Sequence, residues 1–176
     1  MTERERSVRV RPADEDDVDQ LAAVELHTAL TAYAPIFPPD APTPTHDEFV
    51  ERWRARLTRE PVGSAVFGAF DGDTLVGLVM GDPAPELDPD PEHHGHLRAL
   101  YVRPDHWGQG IGRRLHDTAV EYLRIARPQL QPLTLWVMER NTRARASYER
   151  WGWEVTEDRQ EIWPGIDELR YERMLR

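Results

Sequence analysis

The sequence predicts an α/β (α+β) domain with a central sheet of about seven strands flanked by about four helices. Three observations carry this. Segments of alternating and of helical apolar period succeed one another in the order β, α, α, β, β, β, α, β, α, β, β. The stretch "HWGQGIGRRL" at 106–115 joins a strand directly to a helix through three glycines. The chain has 176 residues and no cysteine, which suits one domain, residues 1–176, with a core that stands without disulfides. No internal repeat, low-complexity tract or interdomain linker interrupts it.

"VRVRP" at 8–12 alternates like a short edge strand and stops at Pro12. "ADEDDVDQLAAVELHTAL" follows with acids in its first turn and Val18, Leu21, Ala22, Leu26 and Leu30 at helical spacing. The proline-rich "YAPIFPPDAPTPT" cannot continue that helix. "HDEFVERWRARLTRE" resumes the period through Phe49, Val50, Trp53 and Leu57. In "GSAVFGAFDGDTLVGLVMGD" two apolar runs flank Asp71-Gly72-Asp73, a hairpin signal.

"PAPELDPDPEHH" reads as an acidic, proline-punctuated loop, and "GHLRALYVRP" as a strand ending at Pro104. After the glycine turn, "GRRLHDTAVEYLRIA" makes a helix with Leu115, Ala119, Tyr122 and Leu123 inward. "PLTLWVMER" is a strand, and "NTRARASYERWG" a short helix closed by Gly152. "WEVTEDRQEIW" and "DELRYERMLR" form a final strand pair.

Composition bounds the partners. A formal charge of −10 argues against nucleic acid, whose phosphates are bound through clustered positive charge, and favours a cationic ligand. All 22 basic residues are arginine, so no lysine can form a Schiff base or serve a Walker-type phosphate loop. "MTERERSVRVRP" alternates charge without an apolar core, and no run approaches the roughly 20 apolar residues of a membrane span, so a soluble cytoplasmic protein is expected, with no membrane partner.

The glycine turn suggests an anion cradle, because bare backbone N–H groups converge where no side chain blocks approach and the helix N-terminus adds partial positive charge. On that evidence alone the anion is any phosphate. Similar glycine spacing in dinucleotide-binding folds sits near the first strand of a βαβ unit, whereas four strands precede it here.

"LYVRPDHWGQGIGRRL" followed by "NTRARASYERWGW" resembles the GCN5-related N-acetyltransferase (GNAT) superfamily, over nearly the whole chain. The first segment is similar to the family's Q/R-x-x-G-x-G/A cofactor motif, the second to its Asn-x-x-Ala…Tyr-x-x-x-Gly-Phe segment. The departures are Trp107, where Gln or Arg is usual, and Trp153, where Phe is usual. The resemblance implies a mixed sheet splayed between the fourth and fifth strands, with acetyl-coenzyme A as acyl donor. The activity implied is acetyl transfer to a primary amine by direct attack on the thioester.

Cofactor-binding residues follow from the matching positions. Trp107, Gly108, Gln109, Gly110, Ile111 and Gly112 form the pyrophosphate turn, with Arg113 supplying charge; Leu100, Tyr101 and Val102 offer backbone to the pantetheine; Asn141 and Tyr148 come from the second segment. Tyr148 is implied to protonate the leaving thiolate. His96 is the first choice for general base, with Glu92, His93 and His94 as alternatives and solvent as the default. "HHGH" lacks a carboxylate at helical ligand spacing, so no metal is expected.

Trp136 stands where acetyltransferases of ribosomal-protein N-termini carry a glutamate base, which favours a small-molecule amine over a protein terminus. Trp136, Tyr33, Phe37, Trp53 and Trp163 are candidates for an apolar acceptor pocket; Tyr33 and Phe37 are preferred because the sequence places them in a loop. The alternatives are a protein or peptide N-terminal acetyltransferase and a non-catalytic acyl-coenzyme A sensor. A homodimer is left open.

Overall fold

The computed structural model describes residues 8–59, 64–83, 90 and 93–175. Its elements in chain order are β1 (Val8–Pro12), α1 (Val18–Tyr33), α2 (His46–Arg59), β2 (Ala65–Asp71), β3 (Thr74–Pro83), β4 (Gly95–Val102), α3 (Ile111–Ala126), β5 (Leu133–Met138), α4 (Thr142–Arg150), β6 (Glu154–Trp163) and β7 (Ile166–Arg173). The seven strands form one sheet in the order β1-β2-β3-β4-β5-β7-β6. Every neighbouring pair is antiparallel except β4 with β5, which are parallel and matched only at Gly95–Leu133 and His96–Thr134. Beyond His96 the two strands part. The sheet is therefore splayed at the position the family resemblance implied.

Local signals explain the boundaries. Asp14 caps a single 3-10 turn, Glu15–Asp17, in a capping box with Asp17, and that turn leads into α1. Thr45 and Glu48 exchange hydrogen bonds in the same pattern before α2, Thr45 N–H to Glu48 Oε2 at 2.6 Å and Glu48 N–H to Thr45 Oγ1 at 3.3 Å. The β2–β3 turn has Gly72 at φ 61° and no positive φ at Asp73, so the first central position alone demands glycine.

Two apolar cores sandwich the sheet. On one face α3 buries Ile111, Leu115, Ala119, Val120 and Leu123 against Leu97, Leu133, Leu135, Val137 and Tyr171. Leu115 and Leu123 are fully enclosed, so truncating either to alanine costs about 2–5 kcal/mol. On the other face α1 and α2 bury Leu21, Ala22, Phe49 and Trp53 against Phe70, Leu78 and Met80.

The inward face of α1 is rotated from the one read in the sequence. Leu30 is 51% exposed, whereas Glu25 and Thr28 are buried. Both polar side chains have partners: Arg56 Nη1 lies 3.5 Å from Glu25 Oε2, and Thr28 Oγ1 donates to the Val102 carbonyl at 3.2 Å. The helix also runs to Tyr33, the last residue before the Ala34-Pro35 step, so Tyr33 is helical and not in the loop expected for it. β4 ends two residues earlier than expected, at Val102, because Pro104 opens a 3-10 turn over Pro104–His106. Among the described residues no helix is long and apolar enough to cross a membrane.

Candidate active site

Where β4 and β5 part, a cleft of about 570 Å³ opens between the N-terminal ends of α3 and α4 and the end of α1. It is lined by Tyr33, Leu100, Tyr101, Val102, Trp107, Gly108, Gly110, Ile111, Gly112, Arg113, Asn141 and Tyr148, bringing together most of the residues the sequence singled out. Thr28, His106, Arg143, Ser147, Arg150 and Trp151 complete its polar and aromatic wall.

The floor is set by the glycine turn. Gly108 and Gly110 have φ of 78° and 79°, and a Cβ on Gly108 would meet nothing within 4 Å. The backbone thus curls without a side chain to fill the curl. α3 starts with Arg114 N–H bonded to the Gly110 carbonyl at 3.1 Å. The preceding amides of Ile111, Gly112 and Arg113 lie in the first helical turn, where N–H groups have no intrahelical acceptor. Such a cluster with the helix dipole behind it binds anions. Gln109 is the exception among the turn residues: it is outside the lining, and its side-chain amide donates to the Asp105 carbonyl at 3.3 Å, leaving only its backbone for the cleft.

The side wall is the free edge of β4. Arg103 N–H bonds the Val76 carbonyl on β3 at 2.9 Å. By the alternation of an antiparallel ladder, the backbone groups of Leu100 and Val102 face the other way, into the splay. The Val102 carbonyl is already engaged by Thr28 Oγ1 and by Trp107 Nε1 at 2.6 Å. That leaves the Leu100 N–H and C=O and the Val102 N–H as the unpaired strand groups facing the cleft.

The opposite wall is α4. Asn141 caps it, its side chain accepting from Ala144 N–H at 3.2 Å, so this residue both starts the helix and borders the cleft. Arg145 anchors the helix by donating to the Glu139 carbonyl and the Tyr171 hydroxyl, each at 3.0 Å. Tyr148 stands one turn further on, edge-on to Trp151 and Trp153 at 5.8 and 6.0 Å between ring centroids. Burial, and then the nearby Tyr33, hold its phenol well above the ordinary 10. Burial likewise raises Tyr33 and Tyr101. All three phenols in the cleft keep their protons at neutral pH.

An aromatic row stands beside the cleft at the end of α1. Tyr33 and Phe37 are 6.3 Å apart, and Phe37 meets Trp163 edge-on at 6.2 Å. Phe37 and Trp163 stand beside the cleft and not in its lining. Trp136, half-buried on β5, is paired across the ladder with Arg170. Trp53 belongs to the α1/α2 core at 0% exposure and is outside the cleft lining.

His96 is displaced from its expected role. It is 6% exposed, its Nδ1 is 2.8 Å from Thr134 Oγ1 at the closed end of the splay, and it does not line the cleft. His94 faces Arg170 instead, Nδ1 to Nη2 at 3.2 Å, and His93 pairs with Asp90 at 2.8 Å. Glu92 lies outside the described residues. Among the described residues no group of three or more histidines and carboxylates could hold a metal.

Two departures from the family pattern are compensated by neighbours. Trp153 is 2% exposed, and its indole N–H donates to Nε2 of His116, itself fully buried, at 2.9 Å. His116 Nδ1 lies 2.8 Å from Asp117 Oδ1, so with Nε2 accepting, Nδ1 carries the proton. Burial pushes this imidazole down from 6.5 to about 4, outweighing Asp117. The second departure, Trp107, is roofed by Arg143, whose guanidinium carbon lies 3.8 Å from the indole centroid. Sequence reasoning missed Arg143, which is one arginine among several in "NTRARASYER".

Comparison with known proteins places this geometry. The model of the acetyltransferase (GNAT) family matches residues 26–153. The chain is similar to a mycothiol acetyltransferase of Geodermatophilus obscurus, with 40% identity over 93 residues, 53% of this chain and 29% of the relative's length. It is similar also to an uncharacterised N-acetyltransferase of Bacillus subtilis, with 27% identity over 137 residues, 76% of this chain and 73% of that one. A solved PaiA N-acetyltransferase of Thermoplasma acidophilum, in complex with coenzyme A, superimposes with a TM-score of 0.74 at 16% identity, covering 96% of this chain and 99% of its own. The match spans 128 of 176 residues, counted from 26 to 153, and takes in both the glycine turn and the α4 segment: the chain belongs to the acetyltransferase (GNAT) family.

Proposed function

We propose that this protein transfers an acetyl group from acetyl-coenzyme A to the primary amine of a small molecule, by direct attack of the amine on the thioester. One observation carries the coenzyme assignment. The chain has a net charge of −10, yet the cleft is lined by Arg113, Arg143 and Arg150 and by no carboxylate. A larger hollow of about 710 Å³ elsewhere, between α3 and the β6–β7 pair, has Glu121, Glu154 and Glu172 in its wall. Of these two hollows, the splay cleft, with arginines and no carboxylate in its lining, suits a ligand with several phosphates. The coenzyme A in the T. acidophilum structure agrees with that reading.

Bound acetyl-coenzyme A supplies the acetyl group already activated as a thioester. The chain does the rest by placement. The turn amides of Gly108 to Gly112, with Arg113, hold the pyrophosphate at the N-terminus of α3. Arg113 is itself held by Asp117 at 2.6 Å, which fixes its direction. The free Leu100 groups and the Val102 N–H give the pantetheine amides and the thioester carbonyl their partners, and an N–H aimed at that carbonyl stabilises negative charge developing on oxygen. Tyr148 holds its proton until the C–S bond breaks, gives it to the departing thiolate, and recovers one from water.

The amine enters past Tyr33, Phe37 and Trp163, whose faces attract an ammonium group before it loses its proton. His96 is tied to Thr134 outside the cleft, so proton removal is assigned to water at the open acceptor end. Trp136, in the place of the terminus-acetylating relatives' glutamate, supports a small amine over a protein terminus. The test is thiol release from acetyl-coenzyme A over polyamines, amino acids, aminoglycosides and peptide termini, beside calorimetric coenzyme A binding. Release with a small amine is expected. Tight binding with no release on any amine would reduce the protein to an acyl-coenzyme A sensor.

A further inference from the structure

The Trp107–Arg143 pair spans the cleft from one wall to the other. Trp107 follows β4 and is fixed by its indole N–H on the Val102 carbonyl at 2.6 Å; Arg143 rises from the first turn of α4 and lies on that indole. Both line the cleft. Arg143 differs from most arginines around it. Arg113 is held by Asp117, Arg124 by Glu121, and Arg145 by Tyr171 and the Glu139 carbonyl. The Arg143 guanidinium makes no hydrogen bond or ion pair with any described residue, in a chain with 32 acidic side chains.

Stacking uses the face of a guanidinium and leaves its in-plane N–H groups directed outward, a fork that matches a phosphate. The rigid indole also restricts the arginine's rotamers before any ligand arrives, which lowers the entropy cost of binding. The glycine turn, the α3 N-terminus and Arg113 already provide for the pyrophosphate. Coenzyme A carries one further phosphate, the 3′-monoester on its ribose, and that group needs a cation from another element. Trp107 lacks the polar amide of Gln and the guanidinium of Arg, and Arg143 of α4 brings a cation to the same place from across the cleft.

We propose that Arg143, placed over the face of Trp107, is a specificity residue that binds the 3′-phosphate of coenzyme A. This rests on the coenzyme A reading of the cleft. Calorimetric titration of coenzyme A and 3′-dephospho-coenzyme A into the wild type, Arg143→Ala, Arg143→Lys and Trp107→Ala tests it. The wild type should prefer coenzyme A by about 10-fold or more, in line with a charge-assisted bidentate contact. Arg143→Ala should lose that preference by weakening coenzyme A alone, and Lys should restore only part of it. Trp107→Ala should reduce the preference in the same direction. Arg143 is exposed, so its variants should melt with the wild type. Equal weakening of both ligands, or no change in either, overturns the assignment. A wild type that binds neither ligand refutes the coenzyme A reading itself, a distinguishable result.

Discussion

Protonation of His116 should cost the fold much of its acid stability. The imidazole is fully enclosed between α3 and the start of β6, accepts the Trp153 N–H at Nε2, and has Arg173 Nη1 at 3.3 Å from the same atom. A second proton would have to replace that lone pair and face Arg173 as well. The unfolded chain has no such constraint. Its histidine titrates near the ordinary 6.5, and the folded one near about 4. Because the folded value is the lower, the unfolded state binds the proton first as pH falls. The stabilisation is therefore complete above pH 6.5 and is lost progressively down to about pH 4. At 1.36 kcal/mol per pH unit the loss amounts to about 3 kcal/mol, a large part of a typical domain's 5–15 kcal/mol.

Urea unfolding followed by circular dichroism, in half-unit steps from pH 8 to pH 4, measures the curve. The reference is the double variant His116→Leu with Trp153→Phe, which removes the titrating ring and the donor together. The single variant His116→Leu strands the Trp153 N–H, at a further cost of about 1–3 kcal/mol. Carboxylates that do not touch the ring titrate alike in wild type and double variant, so they cancel in the difference; Asp117, bonded to Nδ1, keeps its Arg113 partner in both. That difference should slope by up to about 1.36 kcal/mol per pH unit within the window. A flat difference would mean that the folded protein admits the proton freely, and the enclosed neutral imidazole would be wrong.

Tyr148→Phe keeps the ring and its packing while deleting one proton; turnover should fall roughly 10²-fold with coenzyme A affinity unchanged, and undiminished turnover would remove Tyr148 from the chemistry. Gly112→Glu is a clean probe of the cradle, because a Cβ there meets Trp151 and Val102 only at ordinary contact, 3.7 Å, and no positive φ is involved. It should abolish the rise in melting temperature given by acetyl-coenzyme A, about 2.7 kcal/mol at 100-fold excess over Kd, and equal stabilisation of variant and wild type would refute the turn assignment. Asp14→Ala removes the acceptor for Asp16 N–H ahead of α1 and should destabilise by about 1 kcal/mol in the same urea assay, without altering coenzyme A binding.

Much of the fold was legible because the signals were local. Gly72 between alternating runs and the glycine turn between β4 and α3 each encode a backbone conformation within a few residues. The face of α1 was not, since hydrophobicity was the guide and two polar residues occupy the buried side. Leu30 points to solvent while Thr28 meets the Val102 carbonyl and Glu25 meets Arg56. Those partners stand 74 and 31 residues away in sequence, and no window along α1 contains them.

The same distinction divides the site. The bare backbone of the turn was readable, because glycines at 108, 110 and 112 leave amides without a side chain over them. Side-chain roles depended on what stood across the cleft. Arg143 and Arg145 are two residues apart on one helix, alike to any sequence pattern; one reaches Tyr171 and the Glu139 carbonyl, and the other reaches Trp107. His96 looked central on its strand, but the parallel pairing of β4 and β5 at that residue seats it against Thr134, where the sheet is still closed. A buried tryptophan in place of phenylalanine brings an N–H that must find an acceptor, and a polar residue on the inner face of the helix it packs against can supply one. Trp153 and His116 satisfy each other in that way, so the two departures that set this chain apart from the common motif, Trp107 and Trp153, each contact a second residue that the motif does not specify.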